Sequence, residues 1–163
     1  YSLDDDIKIL VKIMEDNYRK QLEYYEEIFD LAQQERKLFD NFNWEELLEI
    51  MEKKQETMKK VDELNRELVP VKSRLIQLLG IKEFVLSKLK VSFPEQEYAS
   101  LLETIIGKLA QTLEKLTNLE QENEKKLRIQ IKQSAYVRKK EAIKKSYSLP
   151  SLKIGSNFID KKK

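Results

Sequence analysis

The chain has 163 residues, of which 37% are charged and 40% are hydrophobic, and its formal net charge is +2. It contains no cysteine and no histidine, which excludes zinc fingers, thiol nucleophiles, catalytic triads and acid–base catalysis by histidine. Adjacent carboxylates such as Glu45 and Glu46 point about 100° apart on a helix. We therefore predict a protein that is not an enzyme and needs no cofactor. No apolar run approaches the roughly 18 residues of a membrane span, so a cytoplasmic protein without membrane insertion is expected.

The first segment, residues 4–40, is predicted to form a long amphipathic helix. Its acidic beginning suits the positive end of a helix dipole, and its apolar residues recur near heptad spacing. The apolar residues of this stripe are Ile7, Val11, Met14, Tyr18, Tyr25, Ile28, Ala32 and Phe39. The aromatic residues favour core packing over a ligand platform, because most of them fall on the stripe. A short turn at residues 40–43 predicts an antiparallel second helix.

The second helix is predicted over residues 44–79. Asn43 is placed to accept a bond from the Glu46 N–H as a helix cap, and the Glu46 side chain can reach back to the cap. Phe42 and Leu47 have the spacing of a hydrophobic staple. The stripe consists of Leu47, Met51, Met58, Val61, Leu68 and Leu75.

Pro70 predicts a kink near Leu68, and Gly80 predicts a left-handed cap at the end of the second helix. A short helix or an irregular connector is expected at residues 81–91. The third helix is predicted over residues 94–145, with a strong seam that weakens near Glu120. That seam consists of Leu102, Ile105, Leu109, Leu113, Leu116 and Leu119.

The third helix would be ~75 Å long and the first ~55 Å, so its last part should project or pack on something else. Two apolar rows run along this part. Leu127, Ile131, Ala135 and Ala142 form the first row, and Ile129, Tyr136 and Ile143 form the second at heptad spacing. The first row suffices for a bundle. The second is a candidate docking surface, with scattered exposed apolar residues as the ordinary alternative.

Positive charge is concentrated at the end of the chain. From Lys132 onwards, ten basic residues stand against Glu141 and Asp160. Such a segment can contact nucleic acid or an acidic membrane surface, but arginine is scarce and no nucleic-acid-binding motif accompanies it. We therefore predict no nucleic-acid partner. Residues 146–163 contain Ser, Pro and Gly without periodicity and are expected to form a flexible basic tail.

Together these patterns predict an all-α protein with one helical-bundle domain at residues 1–145. The bundle is expected to be an elongated antiparallel coiled coil of three long helices with a short connecting helix. Stability should come from contacts along the helices, because the apolar content suits a seam better than a globular interior.

Several stretches resemble the FlgN family of flagellar type III export chaperones. WEELLEIMEKKQETMKKVDEL is similar to the family's second helix, and LVPVKSRLIQLLGI resembles the run that follows it. LTNLEQENEKKL resembles the family's third helix, with Asn123 at the characteristic asparagine. Tyr147 in a basic tail and the closing FIDKKK also resemble the family pattern. The resemblance covers essentially the whole chain.

The resemblance implies a cytoplasmic chaperone that binds the C-terminal helical segments of the hook–filament junction proteins FlgK and FlgL and presents them to the export gate protein FlhA. It implies that the C-terminal helix and tail carry both contacts. Tyr147 would contact the gate. We assign client binding to Leu127, Ile129, Ile131, Tyr136, Val137 and Ile143. The sequence also allows a homodimer.

Two other functions are compatible with the same residues. One is a structural or prefoldin-like coiled-coil protein without a secreted client, which client binding would distinguish. The other is a binder of nucleic acid or an acidic surface through the basic end, which strongly salt-dependent binding would support.

Overall fold

The structure, a computed structural model, describes residues 2–41, 43–88 and 97–133. Helix α1 spans Leu3–Leu38, α2 spans Trp44–Leu79 and α3 spans Glu97–Gln133. Each is about 54 Å long at ~1.5 Å per residue. No strand occurs in the described ranges, so the predicted all-α bundle of three long helices is confirmed.

The first two helices begin at capping residues. At α1, Ser2 and Asp5 form a capping box, in which each side chain accepts a bond from the other residue's backbone N–H. At α2, the Asn43 side-chain oxygen accepts from Glu45 N at 3.0 Å and from Glu46 N at 3.3 Å, which confirms Asn43 as the predicted cap. The return bond from the Glu46 side chain stays a prediction. Phe42 lies outside the described residues, so the hydrophobic staple with Leu47 stays a prediction.

Helix α2 ends at Gly80, whose φ of 66° is left-handed as predicted. The Gly80 N–H donates to the Gln77 carbonyl at 3.3 Å and the Ile81 N–H to the Ile76 carbonyl at 3.2 Å, which satisfies carbonyls of the last turn. The helix continues through Pro70. The kink there stays a prediction.

The predicted short connecting helix begins later than residue 81. Residues 81–85 are not helical, and helical geometry begins at residue 86. The described part of the connection ends at residue 88. Residues 89–96 and 134–145, which include both predicted ends of the third helix, lie outside the described ranges.

Helix α1 packs against both α2 and α3. Asn17 contacts Leu64, and Glu35 contacts Lys54, so α1 and α2 run antiparallel as predicted. Tyr98 donates to Asp4 near the start of α1, and Asn123 donates to Ala32 near its end, so α3 runs parallel to α1. The bundle is therefore up, down and up.

Apolar side chains between the helices form two separate clusters. The main core extends along all three helices and contains the whole predicted α3 seam from Leu102 to Leu119. The second group, here called the distal cluster, lies where α1 ends and α2 begins. Its buried members are Phe39, Leu47, Met51 and Leu127, with Leu38, Trp44, Leu48 and Ile131 packed around them.

Candidate functional site

The predicted client-binding residues do not share one surface. Leu127 is only 2% exposed and lies in the distal cluster, so its side chain is not accessible to a client in this fold. Ile131 is half-buried against the same cluster. Ile129 is 56% exposed. Tyr136, Val137 and Ile143, together with the predicted gate residue Tyr147, lie outside the described residues.

As far as Gln133, α3 packs along the bundle. The part towards residue 145, which is predicted to project or to pack on something else, lies outside the described residues. Helix α1 ends at Leu38, but Phe39 and the first turns of α2 continue the surface against which α3 packs. Leu127 is buried against this surface. The buried seam of α3 therefore continues past Leu119. Glu120 and Asn123 occupy it first, and the apolar Leu127 follows.

Three charged residues meet in the plane between the main core and the distal cluster. Lys54 Nζ of α2 lies 2.5 Å from Glu35 Oε1 of α1 and 2.5 Å from Glu120 Oε1 of α3. All three side chains are at most 2% exposed. Each helix thus contributes one member of this cluster, here called the charged triad. With two carboxylates and one ammonium, the fully ionised triad carries a surplus negative charge.

Burial shifts the proton equilibria of the triad. Removal from water raises the pKa of Glu35 to about 7, with Lys54 opposing the shift and Glu120 adding to it. For Lys54, burial lowers the pKa, but the two carboxylates outweigh burial and the net shift is upward. Lys54 therefore stays charged at neutral pH, whereas Glu35 gains or loses its proton near neutral pH.

Asn123 lies beside the triad and is fully buried. Its Nδ2 donates to the Ala32 carbonyl at 2.8 Å, which ties α3 to the last turns of α1. That bond leaves the Asn123 Oδ1 as an acceptor. Among the described residues neither this oxygen nor Glu35 Oε2 has a hydrogen-bond partner, although both are buried. Two acceptors without donors in one polar layer are unusual in a protein interior.

A second, uncharged polar cluster lies near the middle of α1. Asn17 donates to the Leu64 carbonyl at 2.9 Å, and Gln21 donates to Asn17 at 2.8 Å and to Asn65 at 3.1 Å. These bonds fix α2 against α1 in one register, because a shift along the axis would leave buried amides unpaired.

Sequence reasoning missed the triad because it followed apolar residues only. The α1 seam advances in steps of four and three residues through Ile28, Ala32, Glu35 and Phe39. The same steps run through Met51, Lys54 and Met58 in α2, and through Leu116, Glu120, Asn123 and Leu127 in α3. Keeping the heptad register regardless of polarity would have placed all three charged residues in the seam.

An open groove between α1 and α3 has a basic rim formed by Arg36, Lys37 and Lys115. Arg36 pairs with Glu122 across the groove at 3.2 Å, and both side chains are more than half exposed. Such a pair contributes little to stability.

Within residues 2–41, 43–88 and 97–133, no group of acidic side chains has the arrangement of a metal site. Among the helices described, none combines the length and apolarity of a membrane span. No protein-family model matches the chain, and no curated protein or solved structure is significantly similar to it.

Proposed function

We propose that the protein is an export chaperone of the FlgN type. In this proposal it binds the C-terminal helical segments of FlgK-like and FlgL-like junction proteins in the cytoplasm, prevents their premature association and delivers them to FlhA. The sequence resemblance supplies the class of client. The exposure of Ile129 is the structural observation that supports the proposal.

Ile129 lies on the last described turns of α3, two residues from the buried Leu127. Two residues turn a helix by about 200°, so Ile129 faces away from the seam that buries Leu127. Continuing from Ile129 in heptad steps, the sequence offers Tyr136 and Ile143. A row with this spacing suits the apolar face of one amphipathic helix.

The energy available from such a row is moderate. Burial of a large apolar side chain contributes about 1.5–3 kcal/mol before the cost of ordering the client. Ordering a disordered segment consumes part of that energy, so the complex would be reversible. A chaperone that must release its client at an export gate requires reversibility of this kind.

The test replaces Ile129, Tyr136 and Ile143 together by Ser and measures binding of a purified junction-protein C-terminal segment by calorimetry. We expect the affinity to fall at least about tenfold, because the row contributes several kcal/mol before ordering costs. The matched control replaces Ile9, Ile13 and Leu101, which are 43–46% exposed at the opposite end of the bundle, by Ser. The control should bind as the parent does.

A second arm tests delivery. Deletion of residues 146–163 should leave the melting temperature and client affinity unchanged but weaken binding to purified FlhA, as the resemblance of Tyr147 implies. Full client affinity in the triple Ser variant would show that the row is not the client surface. Failure of the parent to bind any junction-protein segment would favour a structural coiled-coil protein instead.

A further inference from the structure

The charged triad leaves one negative charge unbalanced inside the bundle, and two buried acceptor oxygens, one from the triad and one from the neighbouring Asn123, lack donors. Glu35 and Glu120 share the single cation Lys54, and no side chain of the triad is more than 2% exposed. In the described part of the chain, the charged groups that act on Glu35 are Lys54 from α2 and Glu120 from α3. The neighbouring Asn123 is neutral.

A proton on Glu35 acts on the charge and on the unpaired acceptors. It cancels the surplus charge, and it converts one of two unpaired acceptors into a donor. The unpaired acceptors are Glu35 Oε2 and Asn123 Oδ1, and the bond from Asn123 Nδ2 to the Ala32 carbonyl places Asn123 next to the α1 turn that carries Glu35. Buried carboxyl groups that act as donors in this way are known to persist in the neutral form.

We propose that Glu35 is a proton-binding site whose deprotonation loosens the distal cluster from the rest of the bundle. The triad is the layer that joins the main core to Phe39, Leu47, Met51 and Leu127. An ionised Glu35 gains hydration only if this layer opens. Of the two apolar clusters that flank the layer, the distal cluster is the smaller, so it is the one expected to separate. The proposal is independent of the chaperone function.

The direction of the pH effect follows from linkage. The pKa of Glu35 is raised from 4.5 to about 7 in the folded protein, so the folded state holds a proton that the opened state releases. The stabilisation is complete below about pH 4.5 and is lost as the pH rises to about 7. Across this window the opening equilibrium should increase by about tenfold per pH unit, and it should level off above it.

The composition of the chain makes the titration of Glu35 easy to distinguish from that of other side chains. There is no histidine, so ordinary side chains do not titrate near neutrality. Trp44, the only tryptophan, packs on the distal cluster.

The experiment uses the full chain with ¹³C-labelled glutamate side chains and follows each carboxyl carbon by NMR between pH 4 and 9. We expect one carboxyl signal to titrate near neutrality, and we expect this signal to be missing in Glu35→Gln. The matched control is Glu15→Gln. Glu15 is also buried on α1, but its partners Lys12 and Arg19 belong to the same helix. This control should keep the high titration.

Hydrogen exchange on the same samples tests the mechanical consequence. After correction for intrinsic exchange rates, opening of peptides covering residues 44–54 should rise with pH in the parent and in Glu15→Gln. It should be flat in Glu35→Gln. Peptides covering residues 98–109, at the other end of the bundle, should not follow this dependence.

Three outcomes would overturn the proposal. The first is that all parent carboxyls titrate below pH 5, and the second is that the high titration survives Glu35→Gln. The third is that hydrogen exchange of residues 44–54 in Glu35→Gln depends on pH as it does in the parent. If Glu35→Gln does not fold, the carboxyl titration is measured on Glu120→Gln instead. Loss of the Glu120 charge should move the Glu35 titration to lower pH, and an unchanged midpoint would contradict the coupling.

Discussion

The main core and the distal end of the bundle fill the same heptad seam with different chemistry. Around Leu109, Leu113 and Leu116 the seam is apolar, and each side chain is at most 5% exposed. Farther along the same helix the seam is Glu120 and Asn123, equally buried. The apolar layers tolerate many apolar neighbours, whereas the charged layer requires one particular partner from each helix. The comparison shows that burial alone does not indicate how a layer is stabilised.

Lys54→Met is expected to have the largest effect. It leaves Glu35 and Glu120 buried without their cation, and breaking a buried ion pair in this way costs about 3–5 kcal/mol. Chemical denaturation at pH 8 measures the loss. The control is Lys53→Met, an exposed neighbour that should change stability by less than about 0.5 kcal/mol.

A stability close to the parent in Lys54→Met would mean that the carboxylates do not depend on Lys54. The comparison becomes sharper if all three charged residues are replaced by apolar ones of similar size. Such a bundle should regain the parent's stability or exceed it, because desolvation of the charges no longer opposes folding.

Leu109→Ala and Leu116→Ala test the apolar half of the comparison. Both side chains are at most 1% exposed, so each cavity should cost about 2–5 kcal/mol. Leu127→Ala should fall near 2 kcal/mol, the lower limit, because the smaller distal cluster can collapse more readily around the cavity. Leu101→Ala, at an exposed position, is the control.

Thermal and denaturant melts of these variants give the values. A cost under roughly 0.5 kcal/mol at both Leu109 and Leu116 would contradict the observed core. A larger loss of stability in Leu127→Ala than in Leu109→Ala would contradict the expectation that the distal cluster contributes less to stability than the main core.

Asn43→Ala is expected to have the smallest effect. The substitution removes the acceptor for the Glu45 and Glu46 N–H groups, and loss of such a cap costs about 1 kcal/mol. Because α2 begins beside the distal cluster, hydrogen exchange should increase at residues 44–51. Ser2→Ala removes the equivalent cap of α1 and should increase exchange at the opposite end instead. The same exchange pattern in both variants would argue against two separate regions.

Much of the fold follows from local signals in the sequence. Asn43 and Gly80 set the ends of α2 because a side-chain acceptor and a left-handed residue are what helix ends require. Apolar periodicity gave the core faces of all three helices, because a narrow stripe can be buried only against other helices. The short turn after α1 placed α2 antiparallel to it.

Burial of the charged triad depended on tertiary structure. Glu35, Lys54 and Glu120 are residue types that lie on solvated helix faces in most proteins, and each alone would be too costly to bury. Only the three helices together supply a cation between two carboxylates. The same packing decided that Leu127 is buried and Ile129 exposed, because the turn after α1 brings Phe39 and the start of α2 against the end of α3. The sequence by itself determined the helices and their apolar faces, and the tertiary structure determined which charges lie between them.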